Sequence, residues 1–94
     1  MYYVYVLYNL DDESAKKIYI GVTDDLIRRV REHNSGQSKW TSGFGPWKPV
    51  YYEAYLSVKD AINRERKLKH HGKGVSELKK RIEDSVYKAK KVRD

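Results

Sequence analysis

Residues Tyr2 to Asn9 carry an aromatic or aliphatic side chain at every position but the last. In an extended chain, Val4 and Val6 fall on one side and Tyr3, Tyr5 and Leu7 on the other. That period of two predicts a strand and commits the fold to a sheet from its first residues. Lys17 to Val22 repeats the pattern, with Ile18 and Ile20 alternating with Tyr19 and Gly21. Leu10 to Lys16 between them is polar and acidic, as suits a connection, so the two runs are expected to pair as an antiparallel hairpin.

Beyond the hairpin the period changes. Thr23, Asp24 and Asp25 offer a capping hydroxyl and two carboxylates for the positive end of a helix dipole, predicting a helix over 24–34 that stops at Gly36. Residues 36–49 are rich in Gly, Ser and Pro and read as a long loop carrying Trp40, Phe44 and Trp47, of which Phe44 and Trp47 are expected to plug the core. Val50 to Tyr55 predicts a third strand, opened by Pro49, which lacks the donor a ladder needs. Ser57 and Asp60 resemble a capping pair for a helix through Val58, Ala61, Ile62, Glu65 and Leu68, broken at residues 70–74. A last helix follows from Val75, Leu78, Ile82, Val86 and Ala89, with a basic tail over about 88–94. The order β-β-α-β-α-α predicts an α+β fold in which a three-stranded antiparallel sheet buries one face under flanking helices.

Composition narrows the chemistry. A chain of 94 residues is expected to form one domain over 1–94 without internal repeats. Twenty Lys and Arg against thirteen Asp and Glu give a net charge of +7, which favours a polyanionic partner through counterion release. Cysteine is absent, which excludes disulfides and thiolate chemistry, and His33, His70 and His71 lack the i, i+4 spacing of a helical zinc pair. The apolar start is too short to span a membrane and has no cleavage-site pattern after it, so a cytoplasmic protein without membrane association is expected.

Several polar residues stand where periodicity alone does not place them. Glu65 lies in the stripe Val58, Ala61, Ile62, Leu68, so its carboxylate is expected to face the sheet and to need a cation there. An ion pair with an arginine such as Arg29 satisfies that need, and so does a magnesium ion bound through one carboxylate, water and phosphate. Arg29 and His33 are i, i+4 neighbours, flanked by Arg28 and Arg31, and this crowding of charge calls for an anion such as phosphate. Tyr5 and Tyr19 share one sheet face, where aromatic pairing alone would explain them. Gly21, on the same face as Tyr19, leaves room for a substrate or backbone to approach the phenol.

Taken together, Tyr3-Val4-Tyr5 followed by Tyr19-Ile20-Gly21 resembles the paired signature of the GIY-YIG endonuclease superfamily. Asp25-Leu26 with Arg29 and His33 is similar to the helix that follows it, and Glu65 within residues 61–69 to the helix bearing the metal-binding glutamate. The resemblance spans nearly the whole chain and is nearest to the small single-domain UPF0213-like group. It departs at two points: Tyr3 stands where the family has glycine, and no asparagine follows Asn63 where many members carry one.

The resemblance implies a metal-dependent endonuclease that hydrolyses DNA phosphodiesters with low intrinsic sequence specificity, structure-specific or repair-related. It implies one Mg2+ or Mn2+ ion on Glu65, Arg29 on the scissile phosphate, Tyr5 or Tyr19 orienting or deprotonating water, and His33 hydrogen-bonded to phosphate or passing a proton to the leaving group. A free phenol ionises near pH ~10, so a tyrosine base needs a cation nearby. Gly21, Arg28, Arg31, Lys39 and Trp40 are the expected substrate contacts, Trp40 by stacking on a base. Two other readings stand beside this one. The first is a catalytically weak or inactive nucleic-acid-binding module using Lys39, Trp40, Lys48 and the tail residues Lys88, Lys90, Lys91 and Arg93. The second is a protein-interaction domain built on the tyrosine-rich sheet.

Overall fold

A computed structural model describes residues 1–38, 41–70 and 72–91. Three strands, β1 (Tyr2–Asn9), β2 (Ile18–Thr23) and β3 (Trp47–Tyr55), form one antiparallel sheet in the order β2-β1-β3. Helix α1 (Leu26–Asn34) joins β2 to β3, and α2 (Val58–His70), α3 (Gly72–Arg81) and α4 (Glu83–Lys91) follow. The α+β class and the hairpin agree with the sequence, while the C-terminal segment forms two helices where the apolar spacing predicted one. Ile82 divides them, yet its carbonyl still accepts the Val86 amide, so its apolar spacing carries through the break. Residues 72–74, expected within the helix break, instead begin α3, and His70 ends α2.

Both faces of β1 are covered, where the sequence predicted one. Val4 and Val6 pack with Ile20, Ala61, Leu68, Leu78 and Ile82 beneath α2 and α3, the larger core. Tyr5 and Leu7 pack on the opposite face with Trp47, backed by Tyr19, Leu26 and Val30 beneath α1. A central strand has no solvent side once helices lie on both faces, which is why Tyr2–Asn9 has almost no polar residue. Two members of the predicted α2 stripe, Val58 and Ile62, are exposed, and the helix is anchored by Ala61 and Leu68.

Local chemistry fixes the joints. Asp25, not Thr23, caps α1: its side chain accepts the Arg28 amide, while the Thr23 hydroxyl accepts the Asp25 amide. Pro49 lies inside β3, which tolerates it because β3 is an edge strand and a register shift opposite Val6 and Leu7 absorbs the irregularity. At the other end of α1, the Asn34 amide behaves like a strand backbone, donating to the Trp47 carbonyl (2.9 Å) and accepting the Trp47 N–H (2.8 Å). Trp47 is buried as expected, packed against Gly45 (φ +108), where an added Cβ would stand 2.9 Å from the indole. Phe44 is not a core plug: it is about half exposed, with the Lys16 ammonium 4.6 Å from its ring centre.

Residues 88–91 belong to α4 and do not form a free basic tail; Lys88 pairs with Asp84, and Lys90 lies over the Tyr8 ring. Lys39, Trp40 and Arg93, three of the expected nucleic-acid contacts, lie outside the described residues. Among the described residues, no helix is long and apolar enough to cross a membrane.

Candidate active site

The hairpin register puts Tyr5 opposite Gly21 and Leu7 opposite Tyr19. A Cβ at Gly21 would stand 2.5 Å from the Tyr5 hydroxyl oxygen and 3.0 Å from the Tyr19 ring. The space left by the missing side chain is therefore taken by the Tyr5 phenol itself, not kept open for an incoming group. Gly21 is required because it lets the Tyr5 ring lie flat over β2 and carry its hydroxyl to α1.

That hydroxyl is the hub of the site. Tyr5 is 1% exposed, and its oxygen accepts the Arg29 Nε–H at 3.3 Å and lies 2.8 Å from His33 Nε2. A guanidinium can only donate, and a buried phenolic O–H needs an acceptor, so the O–H is directed to His33 Nε2. The i, i+4 spacing of Arg29 and His33 on α1 brings both to the same oxygen. Tyr19, half-buried, closes the cluster, with its ring 4.6 Å from that of His33 and 6.2 Å from that of Tyr5.

The electrostatics separate these groups. Burial pushes the Tyr5 phenol up to about 12, the Tyr19 and Glu65 charges add to this, and the Arg29 guanidinium works against it. His33 is lowered to about 4, first by burial and then by the Arg29 charge, so the imidazole is neutral at physiological pH. Burial works against the charge on Arg29 but is outweighed by the acceptor oxygens of Glu32, Tyr5 and Tyr19, and the guanidinium is held protonated.

The neighbouring charges are arranged differently from expectation. Arg29 pairs with Glu32 at 2.9 Å, and Arg28 pairs with Asp24 at 3.2 Å and with Glu32 at 3.6 Å. Part of the anion called for by the arginine cluster is thus supplied by α1 itself, while Arg31 stands exposed. Glu65 does not pair with Arg29. Its carboxylate is half-buried, 24% exposed, and meets the Lys69 ammonium one helical turn on at 3.2 Å. Lys69 also lies over the Tyr19 ring, 5.6 Å from its centre, which links α2 to the tyrosine pair.

His33 is 1% exposed, so it faces Tyr5 and not solvent. Its second ring nitrogen meets the Thr41 hydroxyl at 2.7 Å, and Thr41 is fully buried. Neither Thr41 nor Lys69 stood out in the sequence. Thr41 sits in a loop without periodicity, and Lys69 is one of several lysines on a basic helix.

A model of the GIY-YIG catalytic domain matches residues 1–79 of this sequence. The chain belongs to the GIY-YIG family. A UPF0213 protein of Haloquadratum walsbyi is 39% identical over 71 residues, covering 74% of this chain and 75% of that protein. Another from Clostridium perfringens is 41% identical over 70 residues, 73% of this chain and 71% of that one. The solution NMR structure of a UPF0213 protein from Bacillus halodurans is similar over 87% of both chains, with 34% identity and a TM-score of 0.50. The structure-specific endonuclease subunit SLX1 of Homo sapiens is 45% identical over 51 residues, half of this chain but 18% of that protein. Tyr5 and Tyr19 thus lie on facing strands of a GIY-YIG domain of the UPF0213 group.

Proposed function

We propose that this GIY-YIG domain is a metal-dependent endonuclease that hydrolyses DNA phosphodiesters with low intrinsic sequence specificity, acting in the cytoplasm on DNA recognised by its structure. The observation that carries the reading is the Tyr5 hydroxyl held between Arg29 Nε and His33 Nε2. A phenol so placed has a cation on one side and a neutral proton acceptor on the other, which is what a tyrosine needs to act as a base. This favours Tyr5 over Tyr19 as the base. The likeness to SLX1, a structure-specific endonuclease subunit, supports the substrate class.

Attacking water forms the new P–O bond as its proton passes to the Tyr5 oxygen and the Tyr5 proton passes to His33 Nε2, while the P–O3′ bond breaks and the leaving oxygen takes a proton from solvent. The imidazolium so formed beside Arg29 is costly in the free protein, because the Arg29 charge is one cause of the low His33 basicity. A scissile phosphate gripped by Arg29 offsets that charge and eases the transfer, so substrate binding itself prepares the base. Arg29 is 28% exposed and protonated, able to reach phosphate without leaving α1. Tyr19 orients the water and phosphate, and Arg28, Arg31, Lys39 and Trp40 contact the flanking strand.

Among the described residues, no group of three or more His, Asp or Glu side chains could cage a metal. With Glu32 already paired to Arg29, the site offers the half-buried carboxylate of Glu65, whose charge is felt by the Tyr5 phenol. This donor set fits one hard divalent cation, Mg2+ or Mn2+, that keeps most of its water and takes substrate phosphate as a further ligand. When bound, such an ion polarises the phosphate and stabilises charge on the leaving oxygen.

The test is cleavage of supercoiled and branched DNA by the purified protein with Mg2+ or Mn2+. Glu65→Ala and excess chelator should each abolish nicking. Arg29→Ala should lower turnover by about 100–1000-fold, far more than Arg31→Ala. Nicking that survives Glu65→Ala overturns the metal assignment. Salt-sensitive DNA binding with no cleavage in either metal leaves the binding-module reading in its place.

A further inference from the structure

The acceptor role of His33 depends on which of its nitrogens carries the proton, and the structure places a buried hydroxyl against the second nitrogen. In a neutral imidazole one nitrogen donates and the other accepts, and the partner of the first sets the state of the second. Arg29 Nε–H occupies the Tyr5 oxygen as donor, the Tyr5 O–H is turned to His33 Nε2, and the remaining proton must sit on Nδ1. Nδ1 lies 2.7 Å from Thr41 Oγ1. Resting on the nuclease reading above, we propose that Thr41 is a positioning residue of the active site, its hydroxyl accepting the Nδ1 proton so that His33 presents a bare Nε2 to Tyr5.

The backbone around Thr41 is built to hold that oxygen still. The Thr41 and Ser42 amides both donate to the Ser38 carbonyl (3.3 and 2.9 Å), and the Thr41 carbonyl accepts the Phe44 amide at 3.0 Å. These bonds tie Thr41, Ser42 and Phe44 back on Ser38 and Thr41 itself, and Thr41 is completely buried, with its hydroxyl against His33 of α1. The long loop between α1 and β3 thereby supplies a working part of the site, not only a cover for it. Without the hydroxyl, an Nδ1–H would be a buried donor without its partner. The imidazole would then favour the opposite tautomer, in which Nε2–H donates to the Tyr5 oxygen. That oxygen would lose the lone pair needed for the water proton, and His33 would lose its place to receive one.

Nitrogen-15 NMR of histidine-labelled protein reads the tautomer directly, without substrate or metal. Wild-type His33 is expected to show a protonated Nδ1 and an unprotonated Nε2. Thr41→Val, nearly the same shape without the oxygen, is expected to move the equilibrium toward Nε2–H and lower kcat by roughly 10–100-fold, as loss of an orienting partner does in other sites, with KM little changed. Thr41→Ser should restore the wild-type tautomer and recover most of the lost turnover. A wild-type spectrum with Nε2–H overturns the proposal even if the valine variant fails to fold. A valine variant that keeps the wild-type tautomer overturns it as well. If the wild-type protein cleaves no DNA, the nuclease reading falls, while the NMR result still decides the role of Thr41 toward His33.

Discussion

The buried histidine should make the protein sensitive to mild acid in a way that one substitution removes. His33 is 1% exposed and lowered to about 4 in the folded protein, against an ordinary value of 6.5 in the unfolded chain. Between those two values the unfolded chain binds a proton that the folded protein refuses, so falling pH favours unfolding. The contribution is fully present above pH 6.5, declines through the window, and is gone below about pH 4. A separation of about 2.5 in pKa corresponds to about 3 kcal/mol, a large part of the ~5–15 kcal/mol that holds a domain of this size together. The assay is urea unfolding of wild type and His33→Gln at intervals from pH 7.5 to 4. Carboxylates that titrate in both proteins cancel in the difference between them. His33→Gln should be the less stable protein at pH 7.5, since it loses the imidazole packing, and wild type should lose about 3 kcal/mol relative to it by pH 4. A difference that stays flat across this range would refute the reasoning, because it would mean that His33 takes up its proton as readily folded as unfolded. The same titration bears on catalysis: a base that must be neutral predicts that kcat/KM of the free enzyme holds down to about pH 4, provided the fold survives, and falls below it.

Gly21→Ala would drive a methyl to within 2.5 Å of the Tyr5 oxygen and should cost about 1–3 kcal/mol, visible as a lower thermal midpoint and as loss of cleavage through displacement of the Tyr5 hydroxyl. An alanine variant with wild-type stability would show that the ring does not lie over β2 as described. Lys69→Met removes the ammonium that meets Glu65 while keeping a stem to cover the Tyr19 ring, and should raise Mn2+ affinity about 2–5-fold, the worth of an exposed ion pair. The change is read by electron paramagnetic resonance of free Mn2+ without DNA, and an unchanged affinity would mean that the ion does not bind at Glu65.

Much of this was legible in the sequence because the informative signals are local. Alternation located the hairpin, i, i+4 spacing paired Arg29 with His33, and the two tyrosine motifs fixed the facing strands. What could not be read depends on contacts between residues distant in sequence. The predicted opening beside Gly21 assumed that a glycine on a sheet face leaves a vacancy. Whether it does depends on which rotamer a tyrosine sixteen positions earlier adopts, and the Tyr5 ring fills the gap. Glu65 was placed by its stripe as an inward carboxylate seeking an arginine. Two of the apolar members, Val58 and Ile62, turned out exposed, and the arginine already had Glu32 three residues on. Both departures have one cause: a pattern of faces says which side of an element a residue occupies but not how far into the fold that side is buried. Thr41 shows the limit most clearly. A threonine in a loop of glycines and serines has no periodic signal, and its significance exists only when the loop turns back on α1 and brings its hydroxyl to a histidine eight residues away. The tyrosine and arginine proposed for catalysis can be read from spacing, but the residue proposed to set the direction of the proton path cannot, because its role is defined by a hydrogen bond and not by a place in any repeat.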